Sequence, residues 1–129
     1  MERAIARVTD WVENSYAVVV YPDEEDNYWV PTPYDELEEL DYQFGVIELD
    51  GSEDLIIKLF SLLHEVGHAK DYSNRFFAGL ESRAGQESYE AERDAWDLGE
   101  QIAEELNIKV SKEEWDEYRN NCLQLYKEL

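Results

Sequence analysis

Residues 52–72, SEDLIIKLFSLLHEVGHAKDY, constrain the fold more than any other stretch. Leu55, Leu59, Leu62 and Val66 recur at helical spacing, and Ile56, Phe60 and Leu63 broaden the stripe. Ser52, followed by Glu53 and Asp54, predicts the start of this helix, with a capping hydroxyl and acids at the positive end of the dipole. The pattern runs to about Tyr72. Into this helix the chain places both of its histidines, His64 and His68, on either side of Glu65. Positions i and i+4 share one face, so both imidazoles can reach a single cation.

A catalytic Zn²⁺ site takes three protein ligands and keeps a fourth position open. With no third histidine, the missing ligand must be Asp or Glu. H-E-x-x-H is the arrangement of zinc-dependent peptidases, in which the glutamate beside the first histidine serves as base; Glu65 holds that position. The plainer alternative is a pair of histidines satisfied by carboxylates in an acidic protein. The longer pattern H-E-x-x-H-x-x-G-x-x-H is absent, because Asp71 and Asn74 stand where it needs Gly and His. Asp71 itself is a candidate ligand if the helix breaks there.

The next helical pattern, from Gln86 to about Asn107, offers more acids. Ala91, Ala95, Leu98, Ile102 and Leu106 form its apolar face. Glu87 and Glu92 lie at the two edges of that stripe, about 70° from its centre, and Glu90 lies about 130° away. Ala95 and Gly99, small and stacked next to Glu92, would let two helices approach closely, as would Gly67. Glu92 is therefore the first choice of third ligand. Glu90 is the second, because Asp94 one turn on could orient a ligand imidazole.

Around these two helices the remaining chain predicts an α+β fold. Residues 2–14 make a short amphipathic helix on Ile5, Val8, Trp11 and Val12. YAVVVY (16–21), YWV (28–30) and YQFGVIEL (42–49) read as strands, the second stopped by Pro31 and Pro33. Ser111 and Glu114 form a capping box that opens a last helix on Trp115, Tyr118, Cys122, Leu125 and Leu129. No linker divides the 129 residues, which are read as one domain.

The balance of 32 acidic against 11 basic residues, a net charge of −21, opposes binding to nucleic acid and to anionic membranes. No apolar run is long enough for a membrane span. A single cysteine, Cys122, excludes an internal disulfide and fits a reducing compartment, so a cytoplasmic location is expected.

LLHEVGH followed by ERDAWDLG resembles the gluzincin branch of zinc peptidases, in particular the small ImmA/IrrE-type metallopeptidases. His64, Glu65 and His68 match that family's first motif. Glu92, Ala95, Leu98 and Gly99 match its second, E-x-x-A-x-x-apolar-small, and Trp96 departs from the polar residue common there. The likeness spans about residues 55–106. It implies a zincin-like domain with a small sheet and an active-site helix packed on two others. It also implies Zn²⁺ held by His64, His68 and Glu92, and Glu65 as catalytic acid and base. The substrate implied is a protein or peptide, a specific regulator of a phage or mobile element among the options. Tyr72, Tyr89 and Arg93 are candidate oxyanion donors. Zincin substrates commonly lie along a sheet edge; YQFGVIEL reads as a core strand that could also supply such an edge. The competing expectation is an acidic protein-binding or inhibitory module whose zinc site is structural or degenerate.

Overall fold

A computed structural model describes residues 1–83 and 88–127. The order is α1 (Glu2–Tyr16), β1 (Val18–Glu24), β2 (Tyr28–Pro31), a 3₁₀ turn (Tyr34–Glu36), β3 (Gly45–Asp50), α2 (Leu55–Phe77), α3 (Tyr89–Glu105) and α4 (Lys112–Lys127). It is an α+β fold with one three-stranded mixed sheet.

The central element is α2. Leu59, Phe60, Leu62, Leu63, Val66, Ala69 and Tyr72 are all buried along it. They pack against Val8 and Val12 of α1, Ile47 and Leu49 of the sheet, and Trp96 and Ile102 of α3, with Trp115 and Leu123 of α4 closing the same core. Apolar residues at 3.6-residue spacing on every helix make this layering possible.

The strand order is β1-β3-β2, with β3 parallel to β1 and antiparallel to β2. YQFGVIEL therefore supplies the centre of the sheet rather than an edge, and its strand begins only at Gly45. Residues Asp41 and Tyr42 have positive φ, and Phe44 N–H bonds back to Tyr16, so the chain is still turning there. The reason for the order is chemical: Pro22 and Pro31 lie in β1 and β2, and a residue without N–H is tolerated at an edge. β3 alternates Ile47 and Leu49 into the core and pairs on both sides.

Several predicted boundaries move. Tyr16 belongs to α1, which stops at Ala17 in the left-handed conformation. The helix at the histidines starts later than expected: its N-cap is Asp54, which makes no side-chain cap bond, and the Ser52 hydroxyl bonds to Asp50. It also continues through Asp71 to Phe77, so the break that would free Asp71 as a ligand does not occur. On α3, Ser88 is the cap and accepts from Ala91 N–H; the predicted start at Gln86 falls outside the described residues. Ser111 accepts from Glu114 N–H, one of the two bonds of the expected capping box. On α4 the expected positions Trp115, Tyr118 and Cys122 do pack on the core, but Leu123 rather than Leu125 continues it, and Leu125 is exposed; Leu129 lies outside the described residues. No helix among the described residues is long and apolar enough to cross a membrane.

Candidate metal centre

Two helices bring the site together, and glycine sets how close they come. A β-carbon on Gly67 of α2 would overlap the Ala95 carbonyl, and one on Gly99 of α3 would overlap the carbonyl of Leu63. Backbone thus lies against backbone on both sides of the histidine turn. Glu92, two turns before Gly99, is carried to the imidazoles.

The Nε2 atoms of His64 and His68 lie 2.7 and 3.1 Å from the same oxygen, Oε2 of Glu92. Among the described residues, these three are the group whose donor atoms all fall within 4.8 Å of one another. Two imidazole nitrogens and one carboxylate oxygen form a donor set suited to a divalent transition metal with an open fourth position. Tetrahedral bonds of 2.0–2.1 Å place ligand atoms about 3.3 Å apart. Accepting a Zn²⁺-sized ion would therefore require the carboxylate to move by roughly half an ångström.

Hydrogen bonds join the same atoms. Burial alone would lower the His64 pKa, but hydrogen bonds to Glu65 and Glu92 outweigh it and push the value up to about 9. Burial would raise the Glu92 carboxyl, yet bonds to His64 and His68 hold it well below the usual carboxylate range. Glu65 is 6% exposed, and its Oε1 lies 3.3 Å from Nδ1 of His64. A proton held there leaves Nε2 as the ligand atom. Trp96 stacks on the His64 ring, with centroids 4.3 Å apart and planes within 7° of parallel. It is steadied in turn by edge contacts with Trp115 and Tyr118. The departure from the family pattern at Trp96 thus gives His64 a flat wall.

Other candidates are placed elsewhere. Asp71 pairs with Arg83 at 2.7 Å and with Arg75 at 3.5 Å. Glu90 is exposed on α3, and Glu87 lies outside the described residues. Asp94 pairs with Arg83 at 2.9 Å and with Arg93 at 3.3 Å rather than with an imidazole. Among the candidate oxyanion donors, the Tyr72 hydroxyl donates to the Thr32 carbonyl inside an aromatic cluster with Trp29 and Tyr34. Tyr89 faces Lys127, and Arg93 is bound to Asp94; none of the three lines the cavity.

That cavity, about 450 Å³, opens over His64, Glu65, His68 and Glu92. Its walls include Asn27, Tyr28, Trp29 and Pro31 on or beside edge strand β2, and Tyr118, Cys122, Leu125 and Tyr126 on α4. Arg83 also lines it, and its guanidinium ties α2 to α3 through Asp71 and Asp94. Sequence reasoning misses Arg83 and Asn27 because each sits in a connection without periodicity. Both acquire roles only through partners far along the chain. Comparison with known proteins finds no matching family model, no matching curated protein and no matching solved structure.

Proposed function

We propose that this chain is a zinc-dependent metallopeptidase of the gluzincin type, resembling the ImmA/IrrE family, that hydrolyses a peptide bond in a protein. One observation carries the reading: two helix-borne imidazoles and a carboxylate from the next helix converge in an open cavity with a second carboxylate, Glu65, beside them. A structural zinc site is normally closed by four protein ligands, whereas among the described residues this cluster has three and a cavity.

The residues present fit the ion. Zn²⁺ held by His64, His68 and Glu92 would supply Lewis acidity for a carbonyl and for water. Glu65, already at the cavity wall, takes the proton of the attacking water and passes it to the leaving amine. The Glu65 contact with His64 Nδ1 keeps that ring oriented until the carboxylate turns to the water. Trp96 resists tilting of the ring, and the edge contacts of Trp115 and Tyr118 hold Trp96 in place. Edge strand β2 borders the cavity, so an extended peptide can add to the sheet there with its backbone over the histidines.

The test is a matched pair of zinc-loaded proteins, wild type and Glu65→Gln, assayed on unstructured protein substrates. Wild type cleaves; the variant keeps about one zinc per chain and loses cleavage by roughly a thousandfold, within the range for removal of a general base. Undiminished cleavage by the variant would sink the mechanism. The opposing reading, an acidic binding module, predicts a partner that stays whole and bound in the presence of chelator.

A further inference from the structure

Asn27 and Tyr34 anchor the two ends of β2 to α2, on either side of the histidines. The Asn27 amide donates to Glu53 and Ser61 and its oxygen accepts from Asp50 N–H, which pins the start of β2 beside Ser61, one turn before His64. The Tyr72 hydroxyl donates to Thr32, and the Tyr34 hydroxyl donates to the Tyr72 carbonyl at 3.0 Å, which pins the other end one turn beyond His68. Ser61 and Tyr72 are eleven helical positions apart, about 16 Å. That span matches about five residues of extended chain.

At each end of this edge the chain carries an exposed acidic tract. Asp23, Glu24, Glu25 and Asp26 precede Asn27; Asp35, Glu36, Glu38, Glu39 and Asp41 follow Thr32. All nine are exposed, and among the described residues only Asp23 has a cation partner, Lys58 at 3.6 Å. No Lys or Arg occurs from residue 8 to residue 57. Between the tracts the edge offers a different surface, with Tyr28, Trp29 and Pro31 lining the cavity over the metal-ligating residues.

We propose that the segment docking along β2 is an extended protein stretch with lysine or arginine on both sides of a core of about five residues, the core crossing the histidines. This rests on the peptidase reading for what happens at the core, but the charge pattern is a separate property of the edge. Unpaired acids at both ends raise the local concentration of a cationic chain and suppress acidic ones. The backbone groups of β2 and the cavity hold the core once it arrives. A basic flank on one side alone meets only one tract.

Three fluorescent peptides with one shared five-residue core and flanks of Lys, Gln or Glu on both sides test this. Binding to the Glu65→Gln protein is read by anisotropy, and cleavage by the zinc-loaded wild type is read in parallel. The Lys-flanked peptide is expected to bind roughly tenfold more tightly than the Gln-flanked one, as several exposed charge pairs would supply. That advantage should shrink as salt rises. The double variant Glu25→Lys/Asp26→Lys at one end, and Glu38→Lys/Glu39→Lys at the other, should each remove most of the preference. The control Glu104→Lys/Glu113→Lys, on exposed positions of the helical half, should leave it intact. Cleavage with no dependence on flanking charge would overturn the substrate class and leave the peptidase intact. Preferred binding of the basic peptide without cleavage would overturn the peptidase and leave the docking edge.

Discussion

Residues 8–57 and residues 58–127 use charge in opposite ways. The first region, which holds the whole sheet, has 15 of the 32 acidic residues and no Lys or Arg. In the second, seven of the nine Lys and Arg sit in ion pairs among the described residues, and the best placed of them lock α2 to α3 and α3 to α4. Arg83 joins Asp71 to Asp94, and Arg119 reaches Asp97 at 2.7 Å. The helical region uses its cations to tie helices together around the candidate site; the acids of the strand region have no such cations beside them in the sequence.

The comparison breaks first at the helix contact. Gly67→Val puts side-chain atoms into the Ala95 backbone, where neither helix can move without separating Glu92 from the histidines. A loss of about 3 kcal/mol in urea unfolding is expected, together with loss of zinc-induced stabilisation. Wild-type stability in this variant would show that the close approach is not needed. Arg83→Met is milder. It leaves Asp71 with Arg75 and Asp94 with Arg93 but removes the link between the two helices, and a loss of about 1–2 kcal/mol is expected after allowance for partial exposure. Titration with zinc should show weaker binding as well.

A pH series separates the site from the rest of the helical region. In the metal-free protein His64 is raised from 6.5 to about 9, so its contribution is complete below about pH 6.5 and is lost as pH rises through 9. Glu92 is lowered from 4.5, so its contribution is complete above about pH 4.5 and is lost as pH falls further. Urea midpoints should therefore be highest between these limits. His64→Asn should flatten the alkaline limb; a limb of unchanged slope would locate the titration elsewhere. Smallest is the effect in the strand region. Glu38→Lys/Glu39→Lys should raise stability by about 0.5 kcal/mol at low salt by relieving repulsion, and the gain should fade with added salt.

Much of the candidate site is legible because it is written in helical periodicity. His64, Glu65 and His68 are local, and Glu92 is one residue past an apolar position on the next amphipathic helix. The small residues Gly67, Ala95 and Gly99 mark the contact that joins them. The strands are legible as segments but not as a sheet. Nothing in YQFGVIEL states that it lies between the other two, and β1 runs through Pro22–Glu24, whose composition suggests a loop. Spacing leaves Asp71 open as a ligand, and that option closes only when α2 is seen to run unbroken to Phe77 with Asp71 paired to Arg83 and Arg75. Trp96 is a mere departure from a motif until its ring is seen stacked on His64.

By itself the sequence determined which residues could share a helix face, since that depends only on spacing and a 3.6-residue period. It therefore determined the pair of imidazoles, the neighbouring carboxylate of Glu65 and a short choice of further carboxylates. Only the tertiary structure decided that Glu92 meets both histidines, that β2 forms the edge beside them, and that Arg83 spans α2 and α3. Those outcomes depend on contacts between residues many positions apart, whose closure is set by packing of the whole core and carries no local pattern.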